Sequence, residues 1–173
     1  MVKDRFTETG FTIIELVVTI SVIGILLGMS YSQYATFTQR QKLITAGQTL
    51  KNILRDVESR SFNGEIDCSV CNCTDPNKES FVRWYMDLDN NIRQFYGSCG
   101  SNTFGVTNLG IVPEIFISSN FTLIEFYAAP PSVNEDINIC LSLNGLENKY
   151  YRIELHKSGE ISDSGGVIPV CSP

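Results

Sequence analysis

The sequence predicts an α+β protein in which a long N-terminal helix precedes a mainly antiparallel β-sheet domain held by disulfides. Three observations carry this. Nineteen residues from Phe11 to Met29 are nearly all apolar, about the length that spans 30 Å of hydrocarbon as a helix. From Ser30 to about Arg60 there is no proline, and Leu43, Ala46, Leu50, Ile53 or Leu54, and Val57 recur at helical spacing. Beyond Gly64 the pattern turns to short aromatic and β-branched runs separated by turn residues, and all six cysteines lie in this part.

The apolar run is preceded by a short polar head containing Lys3 and Arg5, and no small-residue cleavage site follows it. It therefore reads as an anchor rather than an ordinary secretory signal. With its basic residues in front, residues 1–10 stay in the cytoplasm and the chain beyond Met29 lies outside. One residue is out of place. Glu15 sits five positions into the run, where an ionised carboxylate costs about 2.5–3.5 kcal/mol and usually marks function. In the plain reading, it lies near enough to the cytoplasmic end to be wetted. In the sharper one, it meets a cation, which the run itself lacks. Cutting the chain after Gly10 would create one, the α-amino group of Phe11, available to Glu15 of the same or a neighbouring copy.

Gly10-Phe11-Thr12-Ile13-Ile14-Glu15-Leu16, heading a membrane-length apolar stretch, closely resembles the N-terminal processing motif (class III signal) of type IV pilins and pseudopilins. The resemblance implies that a prepilin peptidase cuts between Gly10 and Phe11 and that Phe11 is N-methylated. Glu15 would then steer assembly by pairing with a neighbour's amino terminus. It further implies four segments: 1–10, a cytoplasmic leader; 11–30, a transmembrane and filament-core helix; 31–62, its amphipathic continuation; and 63–173, an extracytoplasmic β-rich domain. The expected partners are the prepilin peptidase, other pilin or pseudopilin subunits, the inner-membrane assembly platform and the cytoplasmic membrane. The chain would start as a single-pass inner-membrane protein and end in a filament at the cell surface or in the periplasm. Many major pilins carry a proline near the position of Ser32. Its absence makes this chain more similar to a minor pilin or pseudopilin.

Along the rest of the chain, Tyr31, Tyr34 and Phe37 continue the aromatic series near the bilayer, as interfacial anchors or as contacts with adjacent subunits. Gly64 in "SFNG" stops the helix. Strands are expected at Phe81–Leu88, Ile92–Gly97, Ile115–Ser118, Phe121–Tyr127, Ile137–Leu143 and Tyr150–Leu155. Turns fall at Asp89–Asn91, Asn144–Gly145 and Ser158–Glu160, and Ala128–Asp136 reads as a loop. The closing "YYRIELHKSGEIS" resembles the last hairpin of minor pseudopilins related to GspH and FimT. Some of those bind DNA through basic residues at this turn. Here Lys157 is followed by Glu160 and Asp163, so DNA binding is not carried over.

A net charge of −6 also argues against coating by nucleic acid. Cys68, Cys71, Cys73, Cys99, Cys140 and Cys171 fit up to three disulfides in an oxidising exterior, with 15 pairings open. The competing reading is a metal site built on Cys68-x-x-Cys71-x-Cys73, for which a fourth ligand would have to come from afar. Asp87, Asp89 and Asn91 imitate the start of a calcium loop, but Ile92 stands where its glycine belongs, so a polar hairpin tip is expected. His156 is the sole histidine, no nucleotide fingerprint occurs, and "SDSGG" lacks a strand-to-helix setting. No catalytic residue, metal or cofactor is expected, and the chain reads as a structural subunit rather than an enzyme. Two other classes stay open: an uncleaved, membrane-tethered binding or sensor protein, and a competence-type DNA-uptake pilin.

Overall fold

The structure, a computed structural model, describes residues 12–73, 82–127 and 132–173. The chain divides into two compact units, one ending at Thr38 and one running from Gln39 to Pro173. Helix α1 (Ile13–Phe62, 50 residues) supplies the described part of the first and the opening of the second. Its end is set by a glycine in the left-handed region. Gly64 has φ 61°, its N–H donates to Ser61 O, and Glu65 N–H donates to Arg60 O. This six-to-one and five-to-two pair satisfies carbonyls that the last turn would otherwise leave open.

Among the described residues, nine antiparallel strands follow: β1 (Val82–Asp87), β2 (Gln94–Cys99), β3 (Asn102–Asn108), β4 (Ile115–Ser119), β5 (Leu123–Tyr127), β6 (Ser132–Val133), β7 (Ile137–Leu143), β8 (Tyr150–Leu155) and β9 (Ile161–Asp163). They form two sheets, β3-β2-β1-β5-β6 and β4-β7-β8-β9. Alternation sorts the side chains: Trp84 and Met86 of β1, Phe95 of β2, Ile124 and Phe126 of β5, and Tyr151, Ile153 and Leu155 of β8 point into the core. There they join Leu43, Leu50, Leu54 and Val57 of α1 in one apolar cluster. Ile53, the alternative to Leu54 in the sequence stripe, is only partly buried at its margin. Contact is close at Gly47, where a Cβ would stand 2.2 Å from the Tyr151 ring.

The expected strands at residues 115–118, 121–127, 137–143 and 150–155 coincide with β4, β5, β7 and β8 to within a few residues. Besides β9, which follows the expected turn at Ser158–Glu160, two strands were not legible. "NTFGVTN" is polar and glycine-containing, yet it forms β3, because its backbone continues the β2 hairpin and only Phe104 is buried. Ser132–Val133, inside the segment read as a loop, makes the short β6 against β5.

The joint between the sheets is the β1–β2 turn. Asn90 Nδ2 donates to Ile117 O at 2.8 Å and Ile117 N–H donates to Asn90 Oδ1 at 3.0 Å, so a side-chain amide pairs the outer edge of β4 as a neighbouring strand would. Arg93, buried and at φ 47°, donates to Asn90 Oδ1 and to the carbonyls of Val112 and Ile115. The hairpin tip is exposed at Asn90, Asn91 and Ile92, as a polar turn should be, and its Asn90 amide also fastens β4. Asp87 and Asp89 cap backbone N–H groups two residues ahead, those of Asp89 and Asn91.

Three disulfides complete the domain: Cys68–Cys73, Cys71–Cys99 and Cys140–Cys171, with Cα separations of 5.4, 6.0 and 6.0 Å. The first two tie the 65–73 loop to itself and to the end of β2. The third pins the C-terminal tail to β7.

Candidate functional site

The chemistry singled out by the sequence concentrates at the head of α1. Gly10 and Phe11 lie outside the described residues. Thr12 immediately precedes the helix and caps it: its Oγ1 accepts from Glu15 N–H at 3.3 Å, and its carbonyl accepts from Leu16 N–H. Thr12-x-x-Glu15 is the spacing of a capping box, a signal present in the sequence that marks the helix start. Glu15 therefore stands in the first turn, where the aligned peptide dipoles favour a negative charge. Its carboxylate is exposed and meets no hydrogen-bond or ion-pair partner among the described residues.

The helix behind it is apolar on every side. Ile13 is 84 % exposed, and Leu16, Val17, Val18, Ile20, Ile23 and Leu27 are each more than half exposed. A helix that is apolar all round belongs in lipid or among other helices, not in water. Two hydroxyls in this segment are satisfied locally, Thr19 Oγ1 donating to Leu16 O and Ser21 Oγ to Val17 O, both at 2.8 Å. This leaves Glu15 as the one charged side chain between Thr12 and Gln39. By length and composition the helix can cross a membrane. Tyr34 is 70 % exposed and Phe37 also stands out from the helix, while the side chain of Tyr31 lies outside the description.

The other sequence candidates are dispersed. All six cysteines are bonded, and among the described residues no group of three or more His, Cys, Asp or Glu side chains is placed to hold a metal. His156 has Nδ1 3.7 Å from Asp136 Oδ1 in the β8–β9 hairpin, with no free thiol for it to activate. Asp163, met first as an acidic residue beside the closing turn, is instead a tether: Lys51 Nζ on α1 donates to its Oδ2 at 2.7 Å. That bond, helped by Gly165 N–H and Tyr151 and opposed by burial, holds the Asp163 carboxyl below its ordinary value. Burial, with the Asp163 hydrogen bond second, pushes the Tyr151 hydroxyl up to about 12.

The family model described as the prokaryotic N-terminal methylation motif matches residues 5–31, covering Gly10–Leu16 and the whole apolar run. No curated protein matches the chain. Among solved structures, the type IV minor pilin FimU of Pseudomonas aeruginosa is similar at 13 % identity and TM-score 0.51, covering 79 % of this chain and 92 % of that one. A second crystal form of FimU gives 9 % identity and TM-score 0.44, covering 69 % and 90 %. The fold is thus pilin-like: one long N-terminal helix on antiparallel sheets. The chain thus joins a prokaryotic N-terminal methylation motif to a pilin-like fold.

Proposed function

We propose that this chain is a minor pilin or pseudopilin, a structural subunit cut between Gly10 and Phe11 by a prepilin peptidase, N-methylated on Phe11 and assembled through α1. The filament is a type IV pilus or a type II secretion-like pseudopilus. The observation that carries the reading is the methylation motif at the head of an apolar stretch, Phe11 to Met29, in which Glu15 is the sole charge. Before assembly, residues 11–30 hold the protein in the cytoplasmic membrane with the β domain outside. The assembly platform then moves the helix from lipid to a bundle of like helices. Exposing that surface to water instead would cost about 25 cal/mol per Å². Glu15 is neutralised in the bundle by a neighbour's Phe11 ammonium. The minor-pilin role is that of FimU, carried here as part of the proposal.

The edges of the β domain support assembly through the helix rather than by strand addition. The β4 edge is filled by Asn90, β6 and β9 are two and three residues long, and β3 is broken by a bulge opposite Phe95–Gly97 with Gly105 at φ 60°. Intact-mass and N-terminal analysis of the protein from its own cells tests the reading. Methylated Phe11 at the N-terminus is the expected result; an intact Met1 in filament-producing cells would overturn it.

A further inference from the structure

The outward face of the five-stranded sheet carries chemistry that assembly through α1 leaves unused. Because Trp84, Ile124 and Phe126 point into the core, their strand neighbours Arg83, Tyr85, Glu125 and Tyr127 point away from it. Glu125 is the hub. Its Oε1 accepts from Arg83 Nη1 and, at 3.2 Å, from Tyr85 Oη; its Oε2 accepts from Tyr127 Oη at 3.0 Å. The Arg83 guanidinium lies 5.4 Å over the Tyr127 ring, and Tyr85 stacks on Tyr96 at 5.5 Å. Partial burial works to raise the Glu125 carboxyl, but the donors around it outweigh this and hold it below the usual carboxylate range. The acceptor is therefore charged, and two rigid strands fix it in place.

Beside this hub a hollow of about 370 Å³ opens between the sheet and the segment leading into β7, bordered by Tyr85, Phe121, Leu123, Glu125, Asn134 and Glu135. Its size falls in the range of small-molecule sites, roughly 300–1,000 Å³. Phe121 and Leu123, 40 % and 47 % exposed, are apolar surfaces held open to solvent at its rim. The lining selects the guest by exclusion. The exposed Glu135 carboxylate repels phosphates and other anions. Arg83 already neutralises Glu125, which leaves little field for a small cation. A wholly apolar guest would strip water from two carboxylates and an amide without replacing their hydrogen bonds. A neutral polyol with apolar faces satisfies every part: C–H faces on Phe121, Leu123 and Tyr85, hydroxyls to the carboxylates and the Asn134 amide as charge-assisted and ordinary hydrogen bonds. We propose that this hollow is a binding site for a neutral saccharide of one or two rings.

The test uses the full chain in micelles of a detergent without a sugar headgroup. Saturation-transfer NMR is run with glucose, galactose, mannose, N-acetylglucosamine and their common disaccharides. At least one is expected to receive saturation on its ring protons, with a Kd at or below about 1 mM. Phe121→Ala and Glu135→Gln, both at exposed positions, are each expected to weaken that binding at least tenfold while the thermal unfolding of the β domain stays unchanged. If none of these sugars binds, or if both variants bind as the parent does, the proposal is overturned. The readout is taken on unassembled protein, so its outcome stands apart from that of the filament reading.

Discussion

One helix runs through two units of this molecule, and its two halves solve opposite problems. From Ile13 to Leu27 its side chains are apolar on nearly every side and exposed; from Leu43 to Val57 it confines its apolar residues to one stripe and buries most of them. Leu27 and Leu50 are the same residue on the same helix, the first largely exposed and the second fully buried. The difference teaches that the stripe belongs to this chain's own fold, whereas the uniform greasiness of the first half is addressed to something outside it. The hydrophobic effect acts on both halves. Only the second half has its partner among the described residues.

The sharpest way to break the comparison is to truncate a leucine in each half. Leu50→Ala is expected to destabilise the β domain by about 2–5 kcal/mol in chemical denaturation, through lost burial and a cavity. Leu27→Ala is expected to leave that transition within about 0.5 kcal/mol, as for an exposed site. A comparable loss at Leu27 would mean that this exposed residue contributes to the stability of the folded domain.

Glycines sharpen the same contrast. At Gly47 a methyl would enter the Tyr151 ring, so Gly47→Ala is expected to cost about 1–3 kcal/mol despite its better helix propensity. At Gly24 nothing lies within 4 Å of an added Cβ. Gly24→Ala should raise helicity in micelles by circular dichroism, in keeping with about 1 kcal/mol of propensity.

A smaller effect is expected at the tether between α1 and β9. Lys51 and Asp163 are about one-fifth and one-seventh exposed, so breaking the pair should cost about 1–2 kcal/mol at pH 7, between the values for surface and buried pairs. Because the folded Asp163 carboxyl is held low, its contribution is complete above the unfolded-state value of about 3.9 and is lost as pH falls towards the folded one. Unfolding curves from pH 6 down to pH 3 should therefore steepen less in Lys51→Met than in the parent.

The smallest effect on folding is expected at Glu15. Glu15→Gln keeps the Thr12 cap, whose acceptor meets the backbone N–H rather than the carboxylate, and should leave the β-domain transition within about 0.5 kcal/mol. Incorporation into filaments, scored by immunoblot of sheared fractions, is where the variant is expected to fail. Normal incorporation would remove the reason for placing a charge there.

What the sequence by itself determined is local. Length and apolarity from Phe11 to Met29, the stripe from Leu43 to Val57, the Gly64 stop and the alternation in β4, β5, β7 and β8 are set by side-chain preferences over a few residues. The processing motif was legible for the same reason, being contiguous and read at close spacing. What only the tertiary structure decided depends on residues far apart in the chain. The pairing of six cysteines, the division of the strands into two sheets, the strand status of "NTFGVTN" and the pairing of the exposed Asn90 amide with the edge of β4 are of this kind. So is the gathering of Tyr85, Phe121, Glu125 and Asn134 around one hollow. Those outcomes rest on which backbone groups find partners once the core has closed, and a polar residue in a one-dimensional pattern carries no mark of whether water or another strand will satisfy it.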